Sequence, residues 1–210
     1  MAMRVNPTRM ELTRLKRRLR TATRGHKLLK DKRDEMVRRF IEFIKRDKEL
    51  RERVEKKLTA AMGRFAVASA QMGPAAVAEA LLVPAREAKV RTGTRNIMSV
   101  NVPTIRLLSE EKEVELPYGF AFTSSELDGA VLDLAAVLPE LIELAEVEKT
   151  CELLANEIEK TRRRVNALEH VMIPELTETI RFITMKLEEN ERANLTRLMK
   201  VKEMMAEQEA

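Results

Sequence analysis

Three consecutive arginines, Arg162, Arg163 and Arg164, stand in the stretch "EKTRRRVNALEH". Guanidinium groups are permanently charged, forked donors that match phosphate and carboxylate oxygens. Taken alone, the triplet fits a phosphate site, a nucleic-acid contact or a solvated helix face. Other residues narrow the choice. The phosphate-cradling pattern G-x-x-x-x-G-K-S/T is absent, and the six glycines are scattered singly. His26 and His170 are the only histidines, and each is too isolated to suggest a metal site or a catalytic pair. Cys151 is the only cysteine, so no intrachain disulfide forms, which suits a reducing compartment. It sits among apolar residues at helical spacing and reads as a small core residue rather than a nucleophile. No carboxylate pair stands out. The sequence therefore predicts no catalytic residues, no cofactor and no metal, and its chemistry is that of contact with acidic surfaces.

What each arginine does depends on the helix that carries it. Of the 210 residues, 35% are charged and 3% aromatic, with no Trp. Such usage belongs to long helices or coiled coils rather than to a compact core anchored by aromatic rings. From Pro7 onward, apolar positions recur in steps of three and four: Leu12, Leu15, Leu19, Ala22, His26, Leu29, Met36, Phe40, Phe43, Leu50, Val54, Ala61, Phe65, Ala68 and Met72. An average step near 3.5 keeps one stripe facing a partner helix. Asn6 before Pro7 is a candidate cap. The carboxy-terminal half repeats the rhythm from a start at Ser124 or Ser125. Leu144, Val147, Cys151, Leu154, Ile158, Thr161, Val165, Leu168 and Met172 carry it, followed by Leu176, Ile180, Ile183 and Leu187, then Leu195, Leu198, Val201 and Met205. Successive steps of four near Met172 predict a stutter, and Pro174 predicts a bend.

Between the helices the texture changes. Residues 71–85, "QMGPAAVAEALLVPA", predict a short apolar helix bracketed by Pro74 and Pro84. Residues 96–108, "NIMSVNVPTIRLL", read as a strand or part of a hairpin, in which Pro103 disfavours a central position. Residues 113–128 offer a second short strand with a Pro-Tyr-Gly turn signal. The predicted class is mainly α: two very long helices in an antiparallel coiled coil, with a small α+β module at the bend. The predicted division is 1–73, 74–123 and 124–210.

Charge is unevenly distributed. Residues 1–60 hold 21 Lys and Arg against 9 Asp and Glu, a formal +12, which leaves −7 for the remainder of a chain whose total is +5. A basic first helix beside an acidic second one is electrostatically complementary. The same arm, "RLKRRLRTATRGHKLLKDKRDEMVRR", has no interleaved aromatics for base stacking and no recognisable nucleic-acid fold motif. No run of eighteen apolar residues exists, and the first residues lack the apolar middle of a signal peptide. The expectation is a soluble, cytoplasmic protein with no membrane insertion and no direct nucleic-acid contact.

Residues 5–36, "VNPTRMELTRLKRRLRTATRGHKLLKDKRDEM", and 144–202, with "EKTRRRVNALE" followed by "IPEL", resemble the D subunits of rotary V-type and A-type ATPases. The resemblance implies an antiparallel, left-handed coiled coil that serves as the central axle. It implies partners as well: the A and B subunits of a hexameric head where ATP is hydrolysed, a small F subunit, and a funnel-like subunit on the membrane ring. It implies torque transmission with no chemistry on the axle, and a location peripheral to the membrane. A coiled-coil scaffold without a motor partner and a basic nucleic-acid binder are the competing readings.

The arginines then acquire expected roles. The coiled-coil seam comprises Leu12, Leu15, Leu19, Phe40, Phe43, Cys151, Leu154, Ile158, Thr161, Val165 and Leu168. Arg162 and Arg164 flank it, their stems covering the apolar stripe. Arg163 points outward, supported by Glu159 four residues before it, and is the arginine of the triplet expected to meet another protein. Arg9, Arg14 and the triplet Arg162, Arg163 and Arg164 are the candidate contacts with acidic loops of a partner. Thr161 is a polar seam position, a register device or a soft spot.

Overall fold

The computed structural model describes residues 6–83, 88–108, 116, 118–119 and 123–208. Helix α1 (Arg9–Met72) is followed by the short α2 (Pro74–Ala80), strands β1 (Lys89–Ile97) and β2 (Val100–Leu108), then α3 (Ser125–Ala167). One π-helical turn, Leu168–Met172, leads into α4 (Ile173–Gln208). The chain forms two compact units: Met1–Glu35 with Ile158–Ala210, and Met36–Glu157. Thr8, rather than Asn6, caps α1. Its Oγ1 accepts the Glu11 amide at 3.2 Å and its carbonyl the Leu12 amide at 3.0 Å, because the helix starts two residues later than Pro7 suggested.

In the first unit, α1 packs antiparallel to α4 and the end of α3. Leu15 and Ala22 are buried with Leu176 and Ile183, flanked by Leu12, Leu19, Leu168, Ile173, Ile180 and Leu187. Each fully buried Leu or Ile contributes about 2 kcal/mol. Leu168 and Ile173 both join this cluster, whereas Met172, the expected seam residue, is exposed. The π turn is the reason: the Ile173 amide donates to the Leu168 carbonyl five residues back, and the packing step lengthens with it. Pro174 has no amide proton to give to the usual carbonyl four residues back, so the ladder is already broken where the turn forms. Beyond it Leu176, Thr179 and Ile183 are buried. The Thr179 hydroxyl donates to the Glu175 carbonyl at 2.7 Å, so a polar seam residue is satisfied within its own helix.

The predicted seam does not continue past Leu187. Leu195, Leu198, Val201 and Met205 are all exposed. Helix α1 begins at Arg9, whose guanidinium meets Glu191 at 2.5 Å. Among the described residues, no second helix therefore runs beside the last turns of α4.

In the second unit, α1 pairs antiparallel with α3. Met36, Leu50, Val54, Ala61 and Ala68 are buried on one side, and Leu127, Ala130, Val137, Val147 and Leu154 on the other. Ala68, Val77 of α2 and Leu127 form a small core against which Phe65, Met72, Tyr118 and Val131 pack. Gly73, at φ 84°, makes the turn from α1 into α2, a left-handed value that a side chain would strain. The Ser124 hydroxyl donates to Gln71 Oε1 at 2.8 Å, tying the start of α3 to the end of α1. The Tyr118 hydroxyl donates to Asp128 at 2.8 Å; burial first, and then this carboxylate, push its pKa up.

The strands form one antiparallel hairpin in which Ile97 pairs with Val100. Residues 96–108 thus hold the hairpin turn and β2, and the partner strand lies upstream, not at 113–128. Of that expected strand, 113–115, 117 and 120–122 lie outside the described residues, as does Pro84, while Ser125 onward is helix. The upstream strand was missed because eight of its nine residues are exposed and mostly polar, so no apolar alternation marks it. The turn residues Met98 and Ser99 have φ of 50° and 72°. Two central residues at positive φ are the pattern of the hairpin turn whose twist matches the strands. A two-residue turn makes Ile97–Val100 a hydrogen-bonded pair, and such pairs alternate along the ladder. Pro103 therefore falls at a non-hydrogen-bonded position opposite Thr94, where its missing amide proton costs the ladder nothing. By the same parity the Ile105 amide points away from β1, and it donates to Glu146 of α3 at 2.7 Å. Gly93 passes so close to Thr104 that a Cβ there would lie 2.8 Å from its Oγ1.

Candidate partner-contact site

The seam side chains anticipated from spacing fall in two places. In the first unit Leu15, Thr161 and Val165 are buried, and Leu12, Leu19, Ile158 and Leu168 are half-buried. In the second, Leu154 is buried and Phe40, Phe43 and Cys151 are half-buried. The Cys151 thiol is held above its ordinary pKa, by burial first and then by the carboxylates of Asp47 and Glu148. A thiol kept protonated is a weak nucleophile.

The structure does not gather the five candidate arginines into one cluster. Arg9 meets Glu191 across the helices at 2.5 Å, whereas His26 meets Glu169 at 3.3 Å. The triplet Arg162, Arg163 and Arg164 lies further along α3 still, more than roughly 25 Å from Arg9 at 1.5 Å per helical residue. Arg14 pairs with Glu11 one turn back at 3.5 Å. Arg163 is exposed and ion-paired with Glu159. Arg162 and Arg164 are exposed with no partner among the described residues. The pair that spacing placed beside the seam is therefore the part of the triplet unpaired among the described residues, and the outward arginine, the expected contact, is already engaged by Glu159 on its own helix.

Residue spacing did not foretell how individual charges pair across the helices. In the second unit, Arg46 pairs with Glu143, Arg51 with Glu148, Lys57 with Glu140 at 2.5 Å, and Arg64 with Asp133 at 3.1 Å. Seven residues forward from Lys57 to Arg64 match seven residues back from Glu140 to Asp133, which is the antiparallel register. The regional charge difference signalled complementarity, but pairing each ion requires the register. Most of these side chains are about half exposed, Glu140 less so, and water screens each pair to about 1 kcal/mol or less. Their main effect is to disfavour shifted registers, in which like charges meet.

Two carboxylate oxygens of the second unit, Asp47 Oδ1 and Glu140 Oε2, are buried without a hydrogen-bond partner among the described residues. A cavity of about 300 Å³ between the hairpin and the helices is lined by Phe43, Arg46, Arg95, Val102, Pro139 and Glu146. No group of three or more His, Cys, Asp or Glu side chains is arranged to hold a metal among the described residues. No helix among them is long and apolar enough to cross a membrane. What this surface offers is guanidinium groups on exposed helix faces, suited to reversible contact with carboxylates, and an apolar stripe at the end of α4 that no described residue covers.

Comparison with known proteins gives one consistent result. The family model for the ATP synthase D subunit matches residues 11–203. The V-type ATP synthase D subunit of Acetivibrio thermocellus is 58% identical over 209 residues, covering 98% of this chain and 94% of that protein. The protein of the same description from Clostridium botulinum (strain Langeland) is 59% identical over 213 residues, covering 100% and 99%. That of Thermoanaerobacter sp. (strain X514) is 56% identical over 201 residues, covering 96% of each chain.

Proposed function

The chain belongs to the family of ATP synthase D subunits, and from that premise we propose that it is the central-stalk rotor subunit of a V/A-type ATPase. It transmits torque between ATP hydrolysis or synthesis in a head of A and B subunits and ion translocation by a membrane ring. It has no active site of its own, binds a small F subunit and a funnel-like subunit above the ring, and lies in the cytoplasm, peripheral to the membrane. The observation that carries this reading is the family match over nearly the whole chain.

Physical features support it. Torsional load passes along a helix pair only if the two helices cannot slide past one another. Interlocked side chains such as Leu15 with Leu176 and Ile183 oppose sliding, and so do the charge pairs from Arg46 to Arg64. Turning against equivalent surfaces calls for contacts that form and break with little barrier, which exposed arginines provide better than large apolar anchors. We assign Arg162 and Arg164 as the foremost contacts with acidic loops of the head. Arg9, Arg14 and Arg163 contribute by exchanging their present carboxylates for those of a partner. The division into a first helix to residue 73, a middle module over 74–123 and a second helix from 124 is the organisation we propose for assembly.

The test is reconstitution. The full-length chain is mixed with the A–B head and the small F subunit, and ATP turnover is measured with and without it. Stable co-purification and a change in turnover are expected. Charge reversal at Arg162 and Arg164 together is expected to weaken head binding about tenfold, the loss of about 1.4 kcal/mol. A folded chain that binds neither partner would leave a scaffold instead, and unchanged binding in the double variant would remove these arginines from the interface.

A further inference from the structure

The hairpin carries a charge imbalance that the stalk reading does not use. Between Lys89 and Leu108 stand Lys89, Arg91, Arg95 and Arg106, with no Asp or Glu. All four are exposed. None has a carboxylate partner among the described residues, in contrast to the paired cations of α1 from Arg46 to Arg64. Arg91 lies directly across from Arg106, a like-charge cross-strand pair that weakens the hairpin until an anion neutralises it.

The ladder parity adds a second, independent feature. Ile97–Val100 is a hydrogen-bonded pair, so the amide and carbonyl groups of Arg91, Gly93 and Arg95 face β2, and those of Val90, Thr92, Thr94 and Asn96 face outward. The far edge of β2 is occupied in part by Glu146 at the Ile105 amide. No described residue hydrogen-bonds the outward backbone of β1. An open row of backbone donors and acceptors is a template for another strand.

We propose that the outer edge of β1 docks an extended acidic segment of a partner protein, which adds to the hairpin as a third strand. Alternating Asp or Glu residues in such a segment place carboxylates on one face of the pleat, the face that holds Lys89, Arg91 and Arg95. A second copy of this chain is not the partner, because two such edges would bring cations against cations. Nucleic acid is disfavoured because residues 89–108 contain no aromatic ring for stacking. Neither nucleic acid nor a lipid surface supplies amides and carbonyls at strand spacing. The inference does not depend on the stalk reading.

The experiment uses the full-length protein, isotope-labelled, and follows amide hydrogen exchange by NMR. The probe is a synthetic peptide alternating Glu and Val. Its controls are the same peptide N-methylated at alternate amides, oligothymidylate of equal charge, and phosphatidylserine vesicles. The peptide is expected to slow exchange at Val90, Thr92, Thr94 and Asn96 and to leave the already bonded Arg91, Gly93 and Arg95 amides unchanged. The N-methylated peptide is expected not to bind. Charge reversal at Arg91 and Arg95 together is expected to weaken binding about tenfold or more. Thr92→Pro, which removes one outward amide and spares the ladder, is expected to abolish protection while the β2 resonances stay in place. Equal binding by the N-methylated peptide, tighter binding of oligothymidylate or vesicles at the hairpin, or no protection at all would each overturn the proposal.

Discussion

The two halves of α4 have the same kind of sequence and opposite fates. From Ile173 to Leu187, apolar residues at three-four spacing are covered, and Leu176 and Ile183 have 0% of their surface exposed. From Leu195 to Met205 the spacing persists, yet Leu195 is 57% and Leu198 66% exposed. Helical periodicity creates an apolar face in both, but among the described residues only the first half has a helix beside it. A regular stripe therefore states what needs covering, not what covers it. In the first half the cover is α1. In the second, no described residue covers it.

The sharpest way to break this comparison is to truncate one side chain in each half. Ile183→Ala opens a cavity in a fully buried cluster and is expected to destabilise the isolated protein by about 3 kcal/mol, lowering the melting temperature by roughly 6–12 °C. Leu198→Ala removes exposed surface only and is expected to change stability by less than about 0.5 kcal/mol. Equal melting temperatures for the two variants would show that the halves are not differently packed.

A smaller effect is read from thiol chemistry. Cys151 is half-buried on a packed seam, with its pKa held up. Alkylation requires the thiolate and access to it, so at about pH 8.5 its labelling is expected to be slower than in the unfolded chain. Met199→Cys in a Cys151→Ser background is expected to label at the rate of an unhindered thiol. The sign of the pH effect follows from the raised folded pKa. The stability contributed by keeping Cys151 protonated is fully present below the ordinary thiol pKa and is lost as pH rises through the folded value. Iodoacetamide kinetics against pH check both points.

The smallest effect concerns the ion pair at the boundary between the halves. Arg9 and Glu191 are both exposed, so Arg9→Ala is expected to cost at most about 1 kcal/mol and to do so only at low salt. Denaturant melts at two ionic strengths measure it. A loss that persists at high salt would mean that the end of α1 is anchored by more than this charge pair.

Much of the architecture was legible because helical burial leaves a strong periodic trace. Leu15, Val54, Ala68, Leu154 and Val165 are all buried, at positions that spacing alone placed on a seam. The short helix between Pro74 and Ala80 was legible from proline and alanine usage. Strand β1 was not, because its side chains face solvent on both faces and leave no apolar trace. The candidate contacts were legible as residue types only. That Arg162 and Arg164 stand without partners among the described residues while Arg163 is held by Glu159 depends on rotamers and neighbours that spacing does not specify.

The sequence by itself determined that the chain makes long amphipathic helices, which residues form their apolar faces, and that the charges of the two halves attract. Those properties follow from the fixed geometry of a helical turn and from residue type. Only the tertiary structure decided where each face is covered, because that depends on the antiparallel register, which sets Arg9 against Glu191 and leaves the end of α4 bare. It alone decided that the step at Pro174 is taken up by a π turn from Leu168 to Met172, and so that Ile173 packs while Met172 faces water. Pairing across the hairpin was decided there as well, since hydrogen-bond parity aims Pro103 and Ile105 away from the ladder and leaves one edge of β1 open. Register and parity are relations between segments, and no local pattern of residue types contains them.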